Sequence, residues 1–284
     1  MEEEIEATET IEPLKRLARD IRSAAKTLSR DEARFLVDLY YTMQEHRIAT
    51  AGQTRSLVAS GEPHATIDFF GAQMKTLEGQ VKSALDAYSE ADELGQWARS
   101  VVGIGPVISA GLLAHIDVAK APSYGNVWSF AGLNPTVKWE KGQKRPWNAA
   151  LKTLCWKIGE SFVKVSGRDD AFYGKVYAEA KERYQRENGE LAYADAAAAS
   201  LKAKKIGKDT EAFKAYNVGL LPPAHIHARA KRYAVKLFLS HYWEKGRVLA
   251  GLPVPEPYPI AHLGHAHVIA VPGNGSAPGS SPER

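Results

Sequence analysis

The sequence predicts an all-α fold, and three observations carry that expectation. Apolar residues recur at three- and four-residue spacing through most of the chain. No stretch sustains the period-two alternation of a half-buried strand. Turn-forming runs, among them Gly61-Glu62-Pro63 and Gly103-Ile104-Gly105-Pro106, separate the periodic segments.

Residues 1–12 carry six glutamates with neither Lys nor Arg, so an acidic flexible terminus is expected there rather than the basic opening of a secretory signal. Residues 13–96 read as a helical hairpin or short coiled coil. Leu14, Leu17 and Ile21 begin its pattern, and Ser29 with Glu32 has the capping-box spacing ahead of Phe35, Leu36, Leu39, Tyr40 and Met43. Beyond the turn at Gly61, the residues Phe70, Met74, Leu77, Val81, Leu85 and Tyr88 make a narrow apolar stripe. Such a stripe either folds back on the preceding helix or pairs with a second copy, giving a homodimer through residues 70–88.

A second helical block is expected over 97–251. Trp147, Leu151, Leu154, Ile158, Phe162 and Val165 form one helix face, opposite Thr153, Lys157, Glu160 and Lys164. Asp169 and Asp170 read as caps for a helix bearing Phe172, Val176, Ala180 and Tyr184. Residues 188–222, with alanines at 196–199 and Lys202, Lys204, Lys205 and Lys208, read as an insertion with one short helix. Ile226, Ala230, Tyr233, Leu237 and His241 mark the last long helix. Residues 252–284 form a Pro-, Gly- and His-rich tail too poor in apolar residues to fold alone.

Composition narrows the function. With 44% hydrophobic and 25% charged residues in 284, the chain is neither wholly disordered nor fibrous. Its most apolar run, Val101 to Ile116, is shorter than the roughly 20 residues of a membrane span, so no membrane partner is expected. A single cysteine, Cys155, precludes an internal disulfide and fits a reducing, cytoplasmic setting, where it is expected to be packed. Net charge is only +4, so nucleic-acid binding would have to come from local basic patches. His225 and His227, and His262, His265 and His267, lack the Cys or Glu partners of a zinc site. No phosphate-binding, nucleophile-elbow or dinucleotide motif is present, so no cofactor, metal or catalytic residue is expected.

Three features point to phosphate binding. Gly103, Ile104, Gly105 and Pro106 have the composition of the turn in a helix-hairpin-helix element, whose backbone amides and following helix N-terminus offer an anion site. A plain turn between helices has the same composition. Downstream, Lys138, Lys141, Lys144 and Arg145 stand against the single acid Glu140, interleaved with Trp139 and Trp147. Those tryptophans either stack on bases or plug the core. Arg229, Arg232 and Lys236 make a basic ridge on the last helix, which on its own is an ordinary solvated face.

These motifs resemble a known family. Val102 to Pro106, Ser109 to Ile116 and Phe130-Ala131-Gly132-Leu133-Asn134-Pro135, followed by a basic glycine loop and a long helix, are similar to the C-terminal domain of insertion-sequence transposases related to the Piv DNA invertase, recombinases guided by a bridge RNA. The similarity covers Trp97 to Ile158 and, more loosely, Arg229 to Trp243; the preceding helices look like the family's coiled coil. The resemblance implies DNA or structured RNA as partner, a place among mobile-element proteins and self-association through the hairpin. It also implies an N-terminal RuvC-like nuclease domain with four acids, for which too few residues precede the hairpin, and a nucleophilic serine where this chain has Lys141-Gly142. The expectation is a nucleic-acid-binding protein of transposase descent without its own catalysis. The alternative is the DNA-binding subunit of a recombinase whose catalytic domain is a separate chain.

Overall fold

The computed structural model describes residues 16–62, 65–137, 139–203, 205–255 and 269–272, and the described residues form eleven α-helices and no strand. The acidic terminus and the tail histidines His262, His265 and His267 lie outside them. The chain divides into two compact units, Met1–Asp92 and Glu93–Arg284.

In the first unit α1 (Arg19–Ala24) and a 3-10 turn lead to α2 (Arg30–Ala59), which packs along α3 (Ala65–Glu90). The start of α2 is fixed by the capping box: Ser29 Oγ accepts from the Glu32 amide at 3.3 Å, and the Ser29 amide donates to Glu32 Oε2 at 2.7 Å. The stripe on α3 is buried only in its second half. Val81 and Leu85 are enclosed, whereas Phe70 and Leu77 are exposed together with Phe69. Glu78, on the same helix, is nearly buried and forms a salt bridge with Arg47 of α2.

The second unit comprises α4 (Glu93–Ser100), α5 (Pro106–His115), α6 (Tyr124–Phe130), α7 (Ala149–Lys164), α8 (Phe172–Gly189), α9 (Ala194–Ala203), α10 (Glu211–Asn217) and α11 (Pro223–Leu249). Helix α11 is the spine, packed against α4, α6, α7 and α8. Its apolar face centres on Phe238, which stacks on Trp97 and meets Phe162 and Tyr173 edge-on. At the far end Arg247 is buried, where it donates to the carbonyls of Val118, Ala121 and Pro253 and so ties two loops to the helix. The stretch 188–222 holds two short helices, α9 and α10, rather than one, because Ala197, Tyr216, Leu221 and Ile226 share a small core of their own.

Asp169 and Asp170 do not cap α8. Asp170 is instead held by Arg168 through two hydrogen bonds of 2.9 and 2.7 Å, Asp169 lies 3.6 Å from Lys175, and Ala171 occupies the N-cap.

Candidate nucleic-acid interface

The turn between α4 and α5 is built from both of its faces. Gly103 adopts φ +100°, a left-handed conformation that disfavours any side chain, and a Cβ there would stand 3.3 Å from Ser161 Oγ and Val165 Cγ2. Its carbonyl accepts from the Ser161 hydroxyl on α7, while Ile104 is 5% exposed and anchors the turn in the core. Pro106 takes the first helical position. The Gly105 N-cap offers no side chain, and the amides of Gly105, Val107 and Ile108 find no acceptor among the described residues. Donors of this kind at a helix N-terminus are the groups that an anion would satisfy. Of the two turn glycines, only Gly103 is needed for backbone geometry. Gly105 lies at φ −94° with open space where a Cβ would be.

The turn after α6 starts with Gly132 at φ +66°, where a Cβ would collide with Trp147 Cγ and Lys152 Cδ, each 2.9 Å away. Asn148 closes the following loop, donating its amide to Phe130 O at 2.9 Å and capping α7 through the Leu151 amide at 2.9 Å. Within the loop Trp139 donates to Gln143 O at 2.8 Å, Arg145 lies 5.4 Å over the Trp139 ring, and Trp139 meets Trp147 edge-on. The two tryptophans therefore part company: Trp147 is half-buried between Gly132 and Lys152, and Trp139 remains 37% exposed. Lys141, Lys144 and Arg145 are exposed, and Lys138 lies outside the described residues.

The ridge on α11 is less open than its spacing predicts. Arg229 is drawn inward, its guanidinium 5.0 Å from the Tyr184 ring centre and 4.4 Å from that of Tyr193, with Nε buried and unpaired. Lys236 sits 4.0 Å over Trp128, whose indole donates to the Lys236 carbonyl at 2.9 Å. Arg232 is the most exposed of the three, although its guanidinium is partly enclosed. Burial, and then the neighbouring Arg229, lower the Arg232 pKa; burial, and then Arg232, lower that of Lys236. Arg229 thus opposes the charge on Arg232 and Arg232 that on Lys236, and among the described residues neither Arg232 nor Lys236 has an acidic partner.

Three histidines of this unit pair with tyrosines. Tyr173 Oη lies 2.7 Å from His241 Nδ1, Tyr177 Oη 2.7 Å from His227 Nδ1, and Tyr216 Oη 3.2 Å from His225 Nδ1. Cys155 is buried, and burial pushes its thiol up to about 12, far from the thiolate a nucleophile requires.

No known family, curated protein or solved structure matches the chain. Among the described residues no helix is long and apolar enough to cross a membrane.

One group escaped the sequence patterns. Trp156 is 60% exposed on α7, about 140° around the helix from Leu151 at 100° per residue. A tryptophan so far off its helix's apolar face was the available signal, and Lys152 lies one turn before it on the same side.

Proposed function

We propose that the chain binds nucleic acid, DNA or structured RNA, through phosphates, and that it descends from a transposase without retaining the chemistry. The observation that carries this reading is the α4–α5 turn. Its carbonyl side is held to α7 by Ser161, and the amides of Gly105, Val107 and Ile108 stand without acceptors among the described residues at a helix N-terminus. One phosphate fits such an array without base readout. The exposed Lys141, Lys144 and Arg145 supply further phosphate partners within the same unit.

The contribution is binding rather than phosphoryl transfer. Lys141-Gly142 occupies the place where the resemblance expects a serine nucleophile, and the one cysteine is buried with a raised pKa. Affinity for mixed-sequence duplexes, measured across a salt titration, tests the proposal. A linear loss of log affinity with log salt supports it, and no binding at low salt defeats it. Sequencing nucleic acid that co-purifies with the chain identifies the natural target.

A further inference from the structure

Helices α7 and α11 present matching faces to a cleft of about 210 Å³. Lys152, Cys155, Trp156 and Gly159 lie at i, i+3, i+4 and i+7 on one side, and Ala228, Lys231, Arg232 and Val235 repeat that spacing on the other; Leu133 closes one end. Gly159 and Ala228 are small, which keeps the helices from filling the space between them. The floor is apolar, one wall is the exposed indole of Trp156, and the rims are cationic. Lys231 is neutralised by its salt bridge to Glu160. Its Nζ also lies 5.9 Å from the centre of the Trp156 ring. Lys152, whose Nζ sits 4.0 Å over the Trp147 ring, and Arg232 have no acidic partner among the described residues.

We propose that this cleft holds one unpaired nucleobase, stacked on Trp156, with its phosphate between Lys152 and Arg232. The assignment rests on the nucleic-acid reading above and names a part of it. The volume is below the roughly 300 Å³ at which drug-sized pockets begin, which suits a single planar ring. Two cations without acidic partners flanking an apolar slot match a ligand that is flat and neutral on one side and anionic on the other, as a nucleotide is. The cleft adjoins both ends of the basic loop: Leu133, which lines it, belongs to the turn from which the loop departs, and Lys152 on its rim lies 4.0 Å over the ring of Trp147 near the loop's other end.

The test compares a duplex carrying one bulged nucleotide with the same duplex carrying an abasic bulge, prepared in DNA and in RNA. The wild-type chain is expected to bind the bulged base roughly tenfold more tightly than the abasic form in at least one of the two. Trp156→Ala removes the ring, and Ala228→Phe fills the slot; each should abolish that preference while binding to the plain duplex is unchanged. Trp156→Phe should retain most of it. Because Trp156 is largely exposed, its substitution leaves the fold intact, which a thermal melt checks. A wild-type chain that binds bulged and abasic forms equally overturns the assignment alone. Preference surviving both Trp156→Ala and Ala228→Phe overturns it too, and a chain that binds no duplex at all overturns this assignment and the wider reading together.

Discussion

The Ser161 hydroxyl on α7 donates to the carbonyl of Gly103 in the α4–α5 turn, which joins two elements 58 residues apart. One face of the turn is thereby fixed to the core helix, while Gly105 has open space where a Cβ would stand.

That arrangement separates the roles of the two glycines. Gly103→Ala forces a side chain into a left-handed conformation against Ser161 and Val165, and should lower stability by about 1–2 kcal/mol. Gly105→Ala meets open space at a permitted φ, and the entropy removed from the unfolded chain is offset by alanine's weaker N-cap preference, so stability should change by less than about 0.5 kcal/mol. The added methyl nevertheless stands where a phosphate would approach the amides, so affinity for duplex should fall. Chemical denaturation paired with a binding titration checks both, and unchanged affinity in a folded Gly105→Val protein removes the turn from the interface.

The basic loop supplies charge rather than shape. Lys141, Lys144 and Arg145 are exposed, so their joint replacement by alanine should leave the melting temperature unchanged. On duplex DNA it should flatten the salt dependence of binding by up to about 0.9 for each phosphate no longer neutralised. Arg229→Lys is the counter-case. Arg229 is enclosed by Tyr184 and Tyr193, and its replacement should act on stability rather than on the salt slope. A slope that Arg229 changes and the loop does not would place the interface elsewhere.

The helices and the turn were legible because both depend on local rules: apolar periodicity, the Ser29 capping box, and Pro106 at a helix start. The cleft was not. Its two faces come from α7 and α11, brought together by aromatic packing around Phe238 that no local pattern specifies. The ridge misled for a similar reason. Arg229 is charged and correctly spaced, yet tyrosines from two other segments enclose it, and only the tertiary arrangement reveals them.

His241 gives stability a pH dependence of definite sign. Its Nε2 lies 2.7 Å from Ile269 O, which can only accept, so Nε2 carries a proton; in the neutral ring that the burial favours, Nδ1 accepts from the Tyr173 hydroxyl. Burial holds its pKa below 6.5, partly opposed by the Ile269 carbonyl, and His227 is lowered as well, first by burial and then by Lys231. The unfolded chain therefore binds more protons than the folded one just below pH 6.5. Stability should be full above that value and fall as pH drops through it. Urea midpoints from about pH 7.5 down to 5.5 should show the decline, and His241→Gln should reduce the slope while His227 preserves part of it. A midpoint that rises on acidification contradicts the assignment of both rings.

The hairpin of the first unit separates folding from association on a single helix. Val81 is 6% exposed and Leu77 43% exposed, one turn apart on α3. Val81→Lys places a charge without a partner inside the hairpin and should cost about 3 kcal/mol or more. Leu77→Lys stays in water and should shift stability by no more than about 0.5 kcal/mol. A homodimer formed through residues 70–88 would cover Phe70 and Leu77, both now open, so the substitution that is neutral for folding is the one that should dissociate it. Light scattering on the two proteins distinguishes the cases: the dimer requires a two-chain mass for wild type that Leu77→Lys reduces to one with an unchanged melt. A wild-type chain of single mass at about tens of micromolar, with and without nucleic acid, leaves α3 paired with α2 alone.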